Sequence, residues 1–481
     1  MSQLVRLAAE QIKTAVEAAF AAALSRGDLP EAETPPFKVE VPANRDNGDF
    51  STNAAMAWAG ALRVPPRKIA EALLPGIALE GTLFERCEIA GPGFINFTLG
   101  EKFYSGVLLE IAERGAAYGR SDDGKGEKVN VEFVSANPTG PMHMGNARGG
   151  ALGDCLAAVL DFAGYDVTRE FYVNDAGNQI DKFALSLDIR YRQVCSDPSA
   201  PEMPEDSYHG DDITERAKQF AALYGDTYLQ KSESERRKAL VDFALPKNIE
   251  EIRRILGIYR IKYDQWFFES TLHNNGELAA ALELLKARGC TYESEGALWY
   301  KNIGQLTKQL LKAGKTPEEI EKLELKDEVL VRANGNPTYF AADIAYHLNK
   351  LNARGFERCI DVWGADHHGH VARLKGALDA AGADGSKLDI ILMQLVRLTR
   401  GGEVVRMSKR TGKAITLGDL LEEIPVDAVR FLFNMREPAS QMEFDLSLAV
   451  ENSAKNPVYY CQYAHARICS ILKKIKADGI E

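Results

Sequence analysis

The stretch 129–148 constrains this chain more than any other. It opens Val-Asn-Val-Glu-Phe-Val, alternating β-branched and polar residues as a strand does. It continues Ser-Ala-Asn-Pro-Thr-Gly-Pro-Met-His-Met-Gly-Asn, whose prolines and glycines exclude regular structure. From Asn146 the apolar spacing becomes helical, through Leu152, Leu156 and Leu160. The chain therefore runs strand, Pro/Gly loop, helix. A helix N-terminus offers free N–H groups and partial positive charge, which suit a phosphate. The loop lacks the Gly-Lys-Ser/Thr ending of a Walker motif and is not a G-x-G-x-x-G turn. At the helix entrance stand His143, Met144, Gly145 and Asn146. Gly145 lets a nucleotide approach the backbone, and His143 and Asn146 present donors to phosphate oxygens. On these four residues alone, a surface histidine beside a turn glycine is the better reading.

A second stretch shifts the balance. Arg406-Met407-Ser408-Lys409-Arg410-Thr411-Gly412 follows an expected strand over Ile390–Leu398, a Gly401-Gly402 turn and a short Val404-Val405 strand. Alone it is a solvated basic turn. Paired with the first loop, Lys409 is a compact cation that can follow charge onto a leaving pyrophosphate.

Together the loops resemble the HIGH and KMSKS motifs of class I aminoacyl-tRNA synthetases. The longer run from Glu132 through Ser135, Ala136, Asn137, Pro138, Thr139, Gly140, Pro141, Met142, His143, Met144 and Gly145 to Asn146 resembles the arginyl-tRNA synthetase family in particular. The fold class this implies is α/β. A Rossmann-like parallel-sheet catalytic core carries an inserted subdomain, an N-terminal α+β domain and the start of an all-helical C-terminal domain. The implied reaction activates L-arginine with MgATP and transfers it to arginine tRNA. By the resemblance, His143, Asn146 and Lys409 are catalytic. Gly145, Gly364, Asp366, Met407 and Ser408 meet ATP. Glu132, Ser135, Asn137, Tyr339, Asp343 and Asp366 hold arginine. Phe94 and Asn96 contact a base of the tRNA outer corner.

The residues support much of this independently. A guanidinium is planar, donates only, and is best held by carboxylates. An acid such as Glu132 inside a Val-rich strand is costly to bury without a partner. Tyr339 and Asp343 are four apart and share a helix face. An aromatic and an amide suit an unstacked base, although Phe94 as core and Asn96 as a turn cap explain the pair equally well. Asp366-His367-His368-Gly369-His370 invites a metal reading. No further carboxylate stands at fixed spacing, so adenosine recognition is preferred and no tightly bound metal is expected.

The chain has 481 residues and net charge −11, which does not advertise nucleic-acid binding as a whole. Seven scattered cysteines without a C-x-x-C pair fit reduced thiols. No apolar run reaches transmembrane length and no leader pattern opens the chain, so a cytoplasmic monomer that avoids membranes is expected.

Residues 1–120 are expected to form the N-terminal domain, with helices over Leu4–Leu24, Asn53–Leu62 and Pro66–Leu74 and strands over Phe37–Val41 and Phe94–Leu99. Residues 121–128 read as a linker, and 128–175 as the first half of the core. The interval 176–325 reads as an insertion. Residues 326–424 complete the core, with a hairpin from Val329–Arg332 to Thr338–Phe340, a helix over Ala342–Asn352 and a strand over Cys359–Trp363. Residues 425–481 are the expected start of an incomplete anticodon-binding domain, with Tyr459, Tyr460, Tyr463 and His465 on its last helix as candidates for RNA stacking or for core. Two rival classes stay open at this stage. A non-charging RNA-binding relative would show no adenylation. A hydrolase built on His367, His368 and His370 would contain stoichiometric metal.

Overall fold

A computed structural model describes residues 3–312, 314–322, 325–405 and 415–479. The chain divides into two units, 1–124 with 162–164, and 125–161 with 165–481.

In the first unit, a four-stranded antiparallel sheet runs in the order Val39–Glu40, Phe50–Thr52, Phe94–Leu99, Phe84–Ala90. Alternation along Phe94–Leu99 sends Ile95, Phe97 and Leu99 into a core with Ile12, Val16, Trp58 and Ile69. These come from helices Gln3–Arg26, Ala54–Leu62 and Pro66–Leu73. The same alternation puts Phe94 and Asn96 on the opposite face.

The second unit is built on a five-stranded parallel sheet in the order Leu388–Met393, Arg358–Gly364, Lys128–Glu132, Asp166–Val173, Gln265–Phe268. The chain starts at the central strand, Lys128–Glu132, builds outward on one side, then crosses to the other. Such a reversal opens a crevice at the carboxyl ends of the two strands that part there. These are Lys128–Glu132 and Arg358–Gly364, which lead into the first motif loop and the Asp366 loop. The motif helix, Met144–Phe162, packs close against the central strand. A Cβ on Gly153 would lie 2.2 Å from the Phe133 ring, so only glycine permits this approach.

Several expectations change. Gln265–Phe268, read as part of the insertion, is an edge strand of the main sheet. The interval Ile390–Leu398 is two strands, Leu388–Met393 and Val396–Arg400, because the chain leaves the main sheet between them. The second of these pairs in parallel with Met442–Asp445, a strand the sequence did not announce. The Val329–Phe340 hairpin closes only about its turn, where Val331 bridges Pro337 and Arg332 N–H donates to the Asn336 carbonyl, and Thr338–Phe340 does not continue it as a strand. Glu328–Val331 joins the hairpin Thr291–Ser294 and Ala297–Tyr300 instead. Thr338 turns away as the cap of helix Tyr339–Leu348, its hydroxyl accepting the Ala341 N–H. That helix widens into a π-turn over Asn349–Ala353. By contrast, Gly401 and Gly402, at φ 57° and 86°, close the expected hairpin between Val396–Arg400 and Glu403–Val404.

Candidate active site

Glu132 ends the central strand, and its neighbours turn sharply. Val134 and Ser135 have φ of 70° and 39°, a left-handed pair that a β-branched residue adopts only under strain. The turn folds the Ser135 hydroxyl back to donate to Glu132 Oε1 at 2.8 Å. Ser135 Oγ also accepts the Tyr172 N–H at 3.1 Å. The strained turn thus fixes the floor of a cleft of about 650 Å³, of small-molecule size.

The structure brings Glu132, Ser135, Asn137, Asn146, Tyr339, Asp343, Gly364 and Asp366 to this one cleft. Tyr339 and Asp343 reach it from one face of the same helix. Asp343 Oδ2 lies 2.9 Å from His370 Nε2, and His370 packs on Trp363 with ring centroids 5.6 Å apart. His370 is thereby drawn into the cleft wall. Among the described residues no group of three His, Cys, Asp or Glu side chains is arranged to hold a metal ion. At Gly364 an added Cβ would meet Asp366 Oδ1 at 2.3 Å. The glycine therefore makes room for its own loop's carboxylate.

Sequence reasoning missed the charge beneath this floor. Lys350 is fully buried, and its Nζ lies 2.5 Å from Glu132 Oε2 and 2.9 Å from Asp361 Oδ1. His347 bridges the Asp343 carbonyl at 2.7 Å and Asp361 Oδ2 at 2.8 Å. Burial opposes charge on all three members of the trio. Asp361 and Glu132 nevertheless hold the Lys350 ammonium above its ordinary range. Lys350 and His347 hold Asp361 below its ordinary range. For Glu132 burial wins, and its carboxyl is pushed up against the pull of Lys350. One ammonium between two acids leaves the trio short of positive charge, which suits a cationic ligand above it. The available signal was Asp361 itself, an acid inside the apolar strand Cys359–Trp363.

His143 and Gly145 stand at the other end of the loop. The imidazole is exposed and makes no hydrogen bond among the described residues. The His143 N–H donates to Asn146 Oδ1 at 3.1 Å, which leaves the Asn146 NH2 without a hydrogen bond among the described residues. Among the described residues a Cβ on Gly145 would meet nothing within 4 Å.

Arg406, Met407, Ser408 and Lys409 lie outside the described residues, but both flanks of their loop are placed. Leu417 N–H donates to the Met142 carbonyl at 3.0 Å, and Met144 N–H to the Ile415 carbonyl at 3.3 Å. Val405 and Ile415 line a hollow of about 580 Å³ together with His143 and Gly145. Arg148, fully buried in the motif helix, donates to the carbonyls of Gln394, Glu437 and Ser440 at 2.8–3.0 Å. The first motif is thus tied to the chain on both sides of the second.

In the N-terminal unit, Phe94 is half-buried. Asn96 is only 4% exposed, with Oδ1 accepting from the Ser51 hydroxyl at 2.8 Å. Ser51 and Glu88 flank Asn96 in register on the neighbouring strands. Its carbonyl oxygen is therefore engaged, and the amide N–H groups are what remain for a partner. On the last helix, Pro457–Ala477, Tyr460 and Tyr463 are exposed.

A model of the arginyl tRNA synthetase N terminal domain matches residues 9–99. A model of the class I (R) tRNA synthetase catalytic domain matches residues 110–470. An arginine–tRNA ligase of Ruminiclostridium cellulolyticum is 52% identical over 474 residues, 98% of this chain and 81% of that protein. The one from Caldanaerobacter subterraneus is also 52% identical, over 100% of this chain and 82% of that protein. A solved putative arginyl-tRNA synthetase of Campylobacter jejuni superposes with a TM-score of 0.68 at 35% identity, covering 79% of this chain and 78% of that one. The resemblance carried by the two motif loops thus extends through both units, and the chain belongs to the arginyl-tRNA synthetase family of class I enzymes.

Proposed function

We propose that aminoacylation of arginine tRNA, the reaction of this family, is carried out at this cleft and at the motif-helix entrance beside it. The arginine carboxylate attacks the α-phosphorus of MgATP, forming the mixed anhydride and releasing pyrophosphate. A terminal ribose hydroxyl of the tRNA then attacks the arginyl carbonyl. An ester forms, AMP leaves, and the hydroxyl proton is lost. No covalent enzyme intermediate is needed, so catalysis is positioning plus stabilisation of charge at phosphorus.

In this reading Glu132, Ser135, Asn137, Tyr339, Asp343 and Asp366 receive arginine. His143, Asn146 and Lys409 face the phosphates, while Gly145, Gly364, Met407 and Ser408 bound the nucleotide. The observation that carries it is the pairing of Met142–Met144 with Ile415–Leu417, which brings the flank of the second loop to the first motif. Phe94 and Asn96 meet tRNA from the face of their sheet turned away from its core. The enzyme works as a cytoplasmic monomer and needs no resident metal beyond the magnesium of its ATP. Among the described residues no helix is long and apolar enough to cross a membrane.

The test is arginine-dependent exchange of pyrophosphate into ATP, with and without arginine tRNA. Exchange that depends on arginine and appears once tRNA is added is expected. Its absence in both conditions would overturn the proposal. Asp343→Asn tests the pocket separately. It should raise the arginine KM at least tenfold, because a charge-assisted contact becomes a neutral one. Unchanged arginine binding by calorimetry would show that the side chain sits elsewhere.

A further inference from the structure

Next to the residues already assigned to arginine, a tyrosine and a buried acid form a pair that the reaction has not used. Tyr172 lies near the carboxyl end of Asp166–Val173 and lines the cleft beside Asp343. Glu269 follows the adjacent strand, Gln265–Phe268, and is only 4% exposed. Register pairs Tyr172 with Phe267, which sets the two side chains together. The Tyr172 hydroxyl donates to Glu269 Oε2 at 2.8 Å. Tyr346 packs against the Tyr172 ring with centroids 4.5 Å apart, which limits its swing.

Among the described residues no lysine or arginine neutralises Glu269. Its nearest basic atom is His273 Nε2, 3.7 Å from Oε1. Burial pushes the Glu269 carboxyl up to about 7, the Tyr172 hydrogen bond pulls the other way, and Asp343 and Asp175 add to the rise. Burial, with Glu269 and Asp343, also pushes the Tyr172 phenol well above its ordinary value, so it keeps its proton. With Glu269 ionised, that single proton is committed to its carboxylate. What the phenolic oxygen can offer the cleft is lone pairs. A guanidinium has five N–H donors and no acceptor. A neutral ureido group of the same shape would bring a carbonyl oxygen against those lone pairs.

We propose that Tyr172 is a specificity-determining residue whose phenolic oxygen accepts an N–H of the substrate guanidinium, and that Glu269 is the positioning residue that fixes the direction of the phenolic proton. The proposal rests on the reading that the cleft holds arginine. Discrimination between arginine and its ureido analogue citrulline then comes from hydrogen-bond polarity as well as from charge.

Full-length Tyr172→Phe, Glu269→Gln, the double variant and Asp343→Asn are compared in tRNA-dependent pyrophosphate exchange, with citrulline as competitor. Circular dichroism melting establishes that each is folded. Tyr172→Phe is expected to raise the arginine KM about tenfold with kcat within twofold. In Glu269→Gln the new amide can donate to the phenolic oxygen, turning the phenolic proton toward the cleft. That variant is expected to raise the arginine KM and to lower the citrulline inhibition constant. In the double variant the glutamine adds nothing to the effect of Tyr172→Phe. An unchanged arginine KM in both single variants would overturn the proposal, as would a Glu269→Gln effect that persists undiminished without the hydroxyl. If Asp343→Asn alone raises KM, the pocket stands and Tyr172 is excluded from it. If Asp343→Asn is also silent, the reading of the pocket itself fails.

Discussion

Lys350→Met is expected to lower the free energy of unfolding by about 3–5 kcal/mol, the usual cost of removing one partner from a buried ion pair. The ammonium is fully buried between Glu132 and Asp361 and sits 4.4 Å from the Tyr346 ring centroid, so no water replaces it without repacking. Without it, two carboxylates face each other with His347 as their nearest base. Each would have a folded-state pKa above its unfolded value. Acids so raised penalise the folded state where they are ionised when unfolded and relieve that penalty once protonated. The deficit should therefore be largest near neutral pH and shrink toward pH 5. Urea unfolding of both proteins at the two pH values reads this directly. A deficit that does not change with pH would mean that lost packing, and not the orphaned carboxylates, sets the cost.

His143→Ala is expected to slow adenylate formation by two to three orders of magnitude, about 2.7–4 kcal/mol, the range for losing one preorganised donor to a developing charge. Arginine affinity should stay within twofold, since the imidazole stands at the helix entrance and the arginine residues lie at the strand end. Rapid-quench measurement of adenylate under single-turnover conditions separates the step from product release. A variant that forms adenylate at the parental rate would remove His143 from the phosphate site. Slowing together with a large rise in arginine KM would instead implicate the loop as a whole, through the Asn146 cap.

The elements that could be read from the sequence are those whose pattern is local. Strand, Pro/Gly loop and helix over 129–160 needed only alternation, breakers and helical spacing. The Gly401-Gly402 turn needed only two residues free to adopt positive φ. Thr338–Phe340 misled because Thr, Tyr and Phe favour strands, yet the same threonine is a good helix cap and the cap prevailed. Gln265–Phe268 and Met442–Asp445 are four-residue strands whose membership is decided by partners distant in sequence. At Asn96 the sequence left a base contact and a structural role equally open, and the serine that bonds it stands on a strand 45 residues away. Lys350 was invisible for a similar reason. Its two acids stand on separate strands, and a π-turn carries it to them.

That π-turn ties an expected wall of the amino-acid pocket to the core. Glu132 is at once an expected wall of the amino-acid pocket and the acid on which Lys350 leans. A substitution there that would admit a different amino acid also takes away one of the two acids that hold the buried Lys350 ammonium, leaving it to Asp361 alone. The shape of that wall and the charge balance of the core beneath it therefore cannot be changed separately at Glu132.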